Sequence, residues 1–181
     1  ITDGIAPSKI VPFKNVKEDA IKAFKGLYKG RPLMPKLFNE EKNIEKLTGV
    51  YIPFWSYELS VSGNIDFKTS DTKTWSDYDY NYTKVDEYLT KKEASMNYNG
   101  VLVDGSSRFD DDLMDSLEPF NFKELVDYNH AYLSGFLAEK YDVDQNKAIK
   151  RANLRAMNTS IAQIRKTVTK HIDYVESNNL N

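Results

Sequence analysis

The sequence predicts an α+β fold, a twisted antiparallel β-sheet packed by an N-terminal helix and a long C-terminal helix. Three observations predict it. Aromatic residues make up 13% of the chain and concentrate between Tyr51 and Tyr98, as suits a pleated, half-buried surface. Within that block apolar residues alternate with period two, whereas on both flanks they recur with the helical period. Gly-Asn and Asn-Gly pairs divide the aromatic block into strand lengths. Strands in one block with helices before and after it is the α+β pattern.

Each element has a local reason. Residues 9–13 read as a short strand. Asn15 is placed to cap a helix, with Glu18 as its capping-box partner. Ala20, Ile21, Phe24, Leu27 and Tyr28 share one face of that helix; Gly30 stops it and Pro32 follows. Residues 34–44 read as a short helical turn. The strand over 50–61 places Tyr51, Trp55, Tyr57, Leu59 and Val61 on one face. On its other face Ile52 and Phe54 give way to Ser56, Glu58 and Ser60. Pro53 removes a ladder donor and argues for an edge or a bulge.

Ser62-Gly63-Asn64 reads as a hairpin turn into a strand over 65–68, and 69–73 as a polar loop. One or two strands over 75–90 put Tyr78, Tyr80, Tyr82 and Tyr88 on a common face. Asn99-Gly100 is a hairpin signal between strands at 93–98 and 101–103, for five or six antiparallel strands in all. Asp110 or Asp111 then caps a short helix that Pro119 terminates. Residues 120–127 and 131–138 are short segments of open type. Asp144 caps a long helix over 145–170, striped by Ile149, Ala152, Met157, Ile161, Ile164 and Val168. A last strand is expected over 172–176, and the outer residues 1–6 and 177–181 are expected to fray.

Length and composition bound the function. The 181 residues predict one domain over 1–181, large enough for a core without staples. With 40% hydrophobic and 29% charged residues the chain reads as globular. A net charge of −2 supplies no global drive toward nucleic acid or acidic membranes. No cysteine is present, which excludes a disulfide scaffold, a thiol nucleophile and a cysteine-ligated metal within these residues. His130 and His171 are too few for a multi-histidine centre. No apolar run approaches a membrane span, and the expected location is the cytoplasm.

The residue clusters each admit a functional and a structural reading. Lys147, Lys150, Arg151, Arg155, Arg165, Lys166 and Lys170 give the long helix a basic character that can follow a phosphate backbone; the plainer reading is a solvated face opposite a core stripe. Asp104, Asp110, Asp111, Asp112, Asp115 and Glu118 can in principle bind a hard cation, but their spacing does not match a calcium loop. Helix capping accounts for 110–112 more simply. Tyr78, Tyr80 and Tyr82 are surface candidates for stacking; packing under a helix is the plainer reading, and the interleaved Asp77 and Asp79 disfavour phosphate. For catalysis, Glu58, Asp66 and His130 are the only groups worth weighing, and no nucleophile or phosphate-cradling motif accompanies them. No catalytic or metal residue is assigned, and the reading leans away from an enzyme.

Five stretches occur in order: 7–13 (PSKIVPF), 49–55 (GVYIPFW), 103–106 (VDGS), 114–120 (MDSLEPF) and 132–143 (YLSGFLAEKYDV). Together they resemble the transcription-factor-IIB-type zinc-ribbon-containing proteins of low-GC Gram-positive bacteria, over nearly the whole chain. The resemblance implies a zinc ribbon with two Cys-x-x-Cys knuckles upstream of this α+β domain, and further strands downstream. No cysteine here matches a ligand, so any zinc is expected in the ribbon and no cofactor in this segment. Some members of that group carry names linked to a replication-restart helicase; this chain has no Gly-x-x-x-x-Gly-Lys-[Ser/Thr] motif to support a motor. The expected role is a non-catalytic interaction or scaffold module with a protein partner. Nucleic-acid association, linked to replication or transcription, is the alternative, and hydrolysis ranks last.

Overall fold

The computed structural model describes residues 5–15, 17–28 and 48–181. The elements in chain order are β1 (Lys9–Ile10), α1 (Lys17–Tyr28), β2 (Val50–Tyr51), β3 (Phe54–Ser76), β4 (Asn81–Asp104), α2 (Asp111–Ser116), β5 (Val126–Asp127), β6 (Leu137–Ala138), α3 (Gln145–Lys166) and β7 (His171–Asn178). Helices and antiparallel strands make the chain α+β. Where one domain over 1–181 is expected, the chain divides into two compact units. One comprises Ile1–Pro53 with Asp104–Val143, the other Phe54–Val103 with Asp144–Asn181. The expected helix stop at Gly30 and the turn over 34–44 lie outside the described residues.

The first unit is built from short pieces. β1 pairs antiparallel with β5, Lys9 opposite Asp127 and Ile10 opposite Val126. β2 pairs parallel with β6, Val50 opposite Leu137 and Tyr51 opposite Ala138. The Phe13 ring stacks on Phe136 with centroids 4.5 Å apart, and Tyr51 meets Phe13 edge-on at 4.9 Å. Gly49 lies beneath these rings: a Cβ there would stand 2.8 Å from Phe136 and 2.9 Å from Phe13, so the absent side chain is what lets the backbone pass. α2 starts as expected, with the Asp110 side chain accepting from the backbone N–H of Asp112 and Leu113. The open segments resolve into 3₁₀ turns, Phe122–Glu124 and His130–Leu133, capped by Asn121 and Asn129.

The second unit is a three-stranded sheet, ordered β4-β3-β7, covered by α3. Two expected turns and one expected loop fail here. β3 runs unbroken through Ser62-Gly63-Asn64 and through the expected polar loop at 69–73, and β4 runs unbroken through Asn99-Gly100. Both glycines take positive φ, 134° at Gly63 and 75° at Gly100, but within strands. The reason at Gly63 is visible. A Cβ there would lie 2.2 Å from the Asn179 carbonyl oxygen. The C-terminal residues run alongside this point, with Ser62 and Asn181 exchanging backbone hydrogen bonds of 3.0 and 2.9 Å and Asn179 donating to the Asn64 carbonyl at 2.9 Å. These contacts, and the burial of Leu180, also overturn the expected fraying of 177–181.

The last strand is where it is expected. β7 pairs antiparallel with β3 from Ile65 opposite Asn178 to Ser70 opposite His171, with bulges after Asp66 and Lys68. α3 starts at the expected cap, Lys147 N–H donating to Asp144 Oδ1 at 2.9 Å, and ends at Lys166, short of the expected 170. Its buried seam is Ala148, Ala152, Ala156, Ser160 and Ile164. This i, i+4 row contains Ala152 and Ile164 of the expected stripe and adds Ala148, Ala156 and Ser160 to it. Met157, Ile161 and Val168 pack beside it, and Ile149 is partly exposed. Small side chains let the helix approach the sheet closely, so Ile65 and Phe67 are fully buried. Ser160 meets the Tyr98 hydroxyl at 2.7 Å, and the Tyr57 hydroxyl donates to the Gln145 carbonyl at 2.9 Å. Burial, then the nearby Asp144 charge, pushes the Tyr57 phenol up.

Candidate functional site

β3 and β4 form a ribbon that outruns its cover. A strand of 23 residues spans about 75 Å at ~3.3 Å per residue, whereas a helix of 22 residues spans about 33 Å. β7 pairs with β3 only as far as Ser70. Beyond it, residues 71–85 are all exposed. The ribbon reverses at Asp77–Tyr80, where Asp77 N–H donates to the Tyr80 carbonyl at 2.9 Å.

One side chain organises that reversal. Asp77 Oδ1 accepts from the backbone N–H of Asp79 at 3.0 Å and of Tyr80 at 2.8 Å, while Oδ2 accepts from the Tyr82 hydroxyl at 2.8 Å. This is the Asx geometry that makes aspartate a turn former. The Tyr82 hydroxyl, followed by the two N–H groups, holds the Asp77 carboxyl below the usual carboxylate range. The same bond pushes the Tyr82 phenol up.

The reversal presents rings. Trp75 stacks on Tyr82 with centroids 5.5 Å apart, and Tyr80 lies tilted 6.3 Å from Tyr82. Tyr78 is fully exposed, and Tyr80 and Trp75 are 67% and 51% exposed. The expected packing of this tyrosine stripe under a helix is therefore wrong, and so is the single common face: Tyr78 and Tyr80 belong to the turn, whereas Tyr82 and Tyr88 lie on β4. Trp75, which is not part of the expected stripe, joins the cluster. The available signal was the run Ser76-Asp77-Tyr78-Asp79, a turn-forming acid directly after an aromatic strand residue.

Farther down the ribbon a lysine is already held. Lys170 Nζ sits 3.7 Å over the centre of the Tyr88 ring and 3.3 Å from Asp71 Oδ2. The basic residues expected to bind phosphate are thus unequally placed. Lys147, Lys150, Arg165 and Lys166 are exposed on α3. Arg151 is half-buried, Arg155 donates to the Leu102 carbonyl of β4, and Lys170 is engaged by the ribbon.

The remaining candidates do not converge. Glu58 and Asp66 lie on one strand, β3, eight positions apart, which is about 26 Å; paired hydrolytic carboxylates stand about 5–9.5 Å apart. Asp66 Oδ1 is buried with no hydrogen-bond partner among the described residues, and Glu58 is exposed. The exposed His130 shares a 2.9 Å hydrogen bond with the Tyr128 hydroxyl. Among the described residues no group of His, Asp or Glu is placed to hold a metal ion, and no helix is long and apolar enough to cross a membrane.

The chain is 33% identical over 148 residues to the uncharacterized protein YdjG of Bacillus subtilis (strain 168), a match covering 82% of this chain and 43% of that protein. The chain thus spans less than half the length of the curated relative it matches. No family model matches the chain, and no solved structure does.

Proposed function

We propose that this chain is a non-catalytic interaction module of a cytoplasmic protein, working beside a zinc ribbon, and that its contact surface is the end of the β3–β4 ribbon. The carrying observation is the cluster of Trp75, Tyr78 and Tyr80 exposed beyond the core. Exposed aromatic clusters cost solubility and mark protein contacts, and tyrosine and tryptophan dominate the energetics of such contacts. The five motif stretches support the zinc-ribbon context, in which the metal belongs to a segment other than this one.

The experiment replaces Tyr78 with a photo-crosslinking amino acid in the complete parent protein in cells. A discrete adduct is expected, with much lower yield from the probe at Lys91 on the outward side of β4. The adduct is expected to disappear in a Trp75→Ala, Tyr80→Ala background. Equal yields at 78 and 91 would refute the proposal.

A second reading, nucleic-acid association, rests on the four exposed cations of α3, Lys147, Lys150, Arg165 and Lys166, in a helix that holds no acidic residue. It requires an electrophoretic shift at low salt that weakens steeply as salt is added. Full-length protein that gives no shift removes it.

A further inference from the structure

We infer that the partner contacted by the ribbon end is a cationic protein segment, whose arginine or lysine side chains lie against the Trp75, Tyr78 and Tyr80 rings beside Asp77 and Asp79. This rests on the reading of the ribbon end as the contact surface and names the chemistry it fits.

The same ribbon already holds a cation in this way. Lys170 is held by a ring face and a carboxylate, Tyr88 at 3.7 Å and Asp71 at 3.3 Å. A ring offers the negative face of its quadrupole to a cation, and the neighbouring carboxylate adds a charge of the right sign. The ribbon end repeats this pairing of rings with carboxylates, and among the described residues it has no cation of its own over the rings.

Residues 71–90 carry Asp71, Asp77, Asp79, Asp86 and Glu87 against Lys73 and Lys84. Three of these carboxylates already have cations: Asp71 has Lys170, Asp86 has Lys84, and Glu87 has Lys68. Asp77 and Asp79, the two beside the rings, are in no ion pair among the described residues. Against Lys73, these two carboxylates leave the ribbon end with one net negative charge, which disfavours phosphate and favours an ammonium or guanidinium group. Arginine suits the place better, because its flat guanidinium stacks on a ring while its N–H groups reach a carboxylate.

The test titrates the purified chain, by calorimetry, with three probes of equal length: an alternating arginine–glycine peptide, a glutamate–glycine peptide and an oligothymidylate. The arginine peptide is expected to bind, weakening with added salt, and the other two are expected not to. Trp75→Ala and Tyr80→Ala should each lower affinity about threefold to fivefold, and Asp79→Asn by a similar factor. Glu93→Gln, which removes the same charge on the outward side of β4, should leave affinity unchanged. No arginine-peptide binding, equal losses for Asp79→Asn and Glu93→Gln, or preference for the oligonucleotide would each overturn the inference. If peptide binding fails while the crosslink at position 78 still forms, the contact surface stands and its partner is not cationic. If the crosslink fails as well, both fall.

Discussion

The two ends of the β3–β4 ribbon carry the same kind of side chain on the same face and put it to opposite uses. On β4, Tyr82 and Tyr88 share the parity of Ala94, Met96 and Tyr98. The latter three pack against the core under α3, whereas Tyr82 and Tyr88 are exposed. On β3, Val61, Ile65 and Phe67 are buried, and Trp75, at the same alternation, is not. The strands do not change character between the two ends; the cover does. α3 and β7 lie along the lower part, and past Ser70 no strand of the described chain continues the β7 side. A pattern that means core under a helix means surface once the helix has ended.

The sharpest way to break this comparison is to substitute an equivalent ring at each end. Phe67→Ala removes a fully buried side chain and should cost about 3–5 kcal/mol, read as a large fall in the denaturant midpoint of the second unit. Tyr78→Ala and Trp75→Ala should stay within about 0.5 kcal/mol of the parent chain. A tip substitution as costly as Phe67→Ala would show that something in this chain covers the tip.

A smaller effect sharpens how the lower end is held. Ser160→Ala deletes the partner of the Tyr98 hydroxyl at a buried position and should cost about 1 kcal/mol, measured by chemical denaturation. An unchanged midpoint would mean that the helix seam is held by shape alone.

The smallest effect separates the ends by pH. At the tip, Asp77 has a folded pKa below its ordinary value, so its contribution to the turn is present above the usual carboxylate range and lost as pH falls through the lowered value. Tyr82 has a folded pKa above its ordinary value, so its contribution is present below the usual phenol range and lost as pH rises through the raised value. Amide exchange at Asp79 and Tyr80 should therefore quicken at both extremes, while exchange in β3 at 65–69 follows only global unfolding. Parallel behaviour of the two regions would contradict their independence.

Much of the second unit was legible because it rests on local rules. The Asp144 cap, the long helix, the last strand at 171–178 and the alternation through Tyr57, Leu59 and Val61 all follow from capping chemistry and from side-chain periodicity. The failed turns both fall on glycines with positive φ. Ser62-Gly63-Asn64 and Asn99-Gly100 have the composition of turns, yet each lies within a strand. A glycine with positive φ serves equally at a reversal and at a close approach, and the sequence near Gly63 does not record that residues 179–181 pass beside it. Of the expected stripe Ile149 alone faces out, while Ala148, Ala156 and Ser160 join it because a helix drawn close to a sheet buries its smallest residues, which periodicity weighted by hydrophobicity underrates.

By itself, then, the sequence determined what could be read within a few residues of each position: the α+β character, a cap at Asp110 or Asp111 and another at Asp144, the alternating strands, and the absence of cysteine chemistry from these residues. Only the tertiary structure decided which rings are core and which are surface. It joined the strands into one long ribbon, set α3 against part of it, and left Trp75, Tyr78 and Tyr80 uncovered. Burial depends on what lies opposite a side chain, and here the opposite element, α3, comes more than sixty residues later in the chain and ends before the ribbon does.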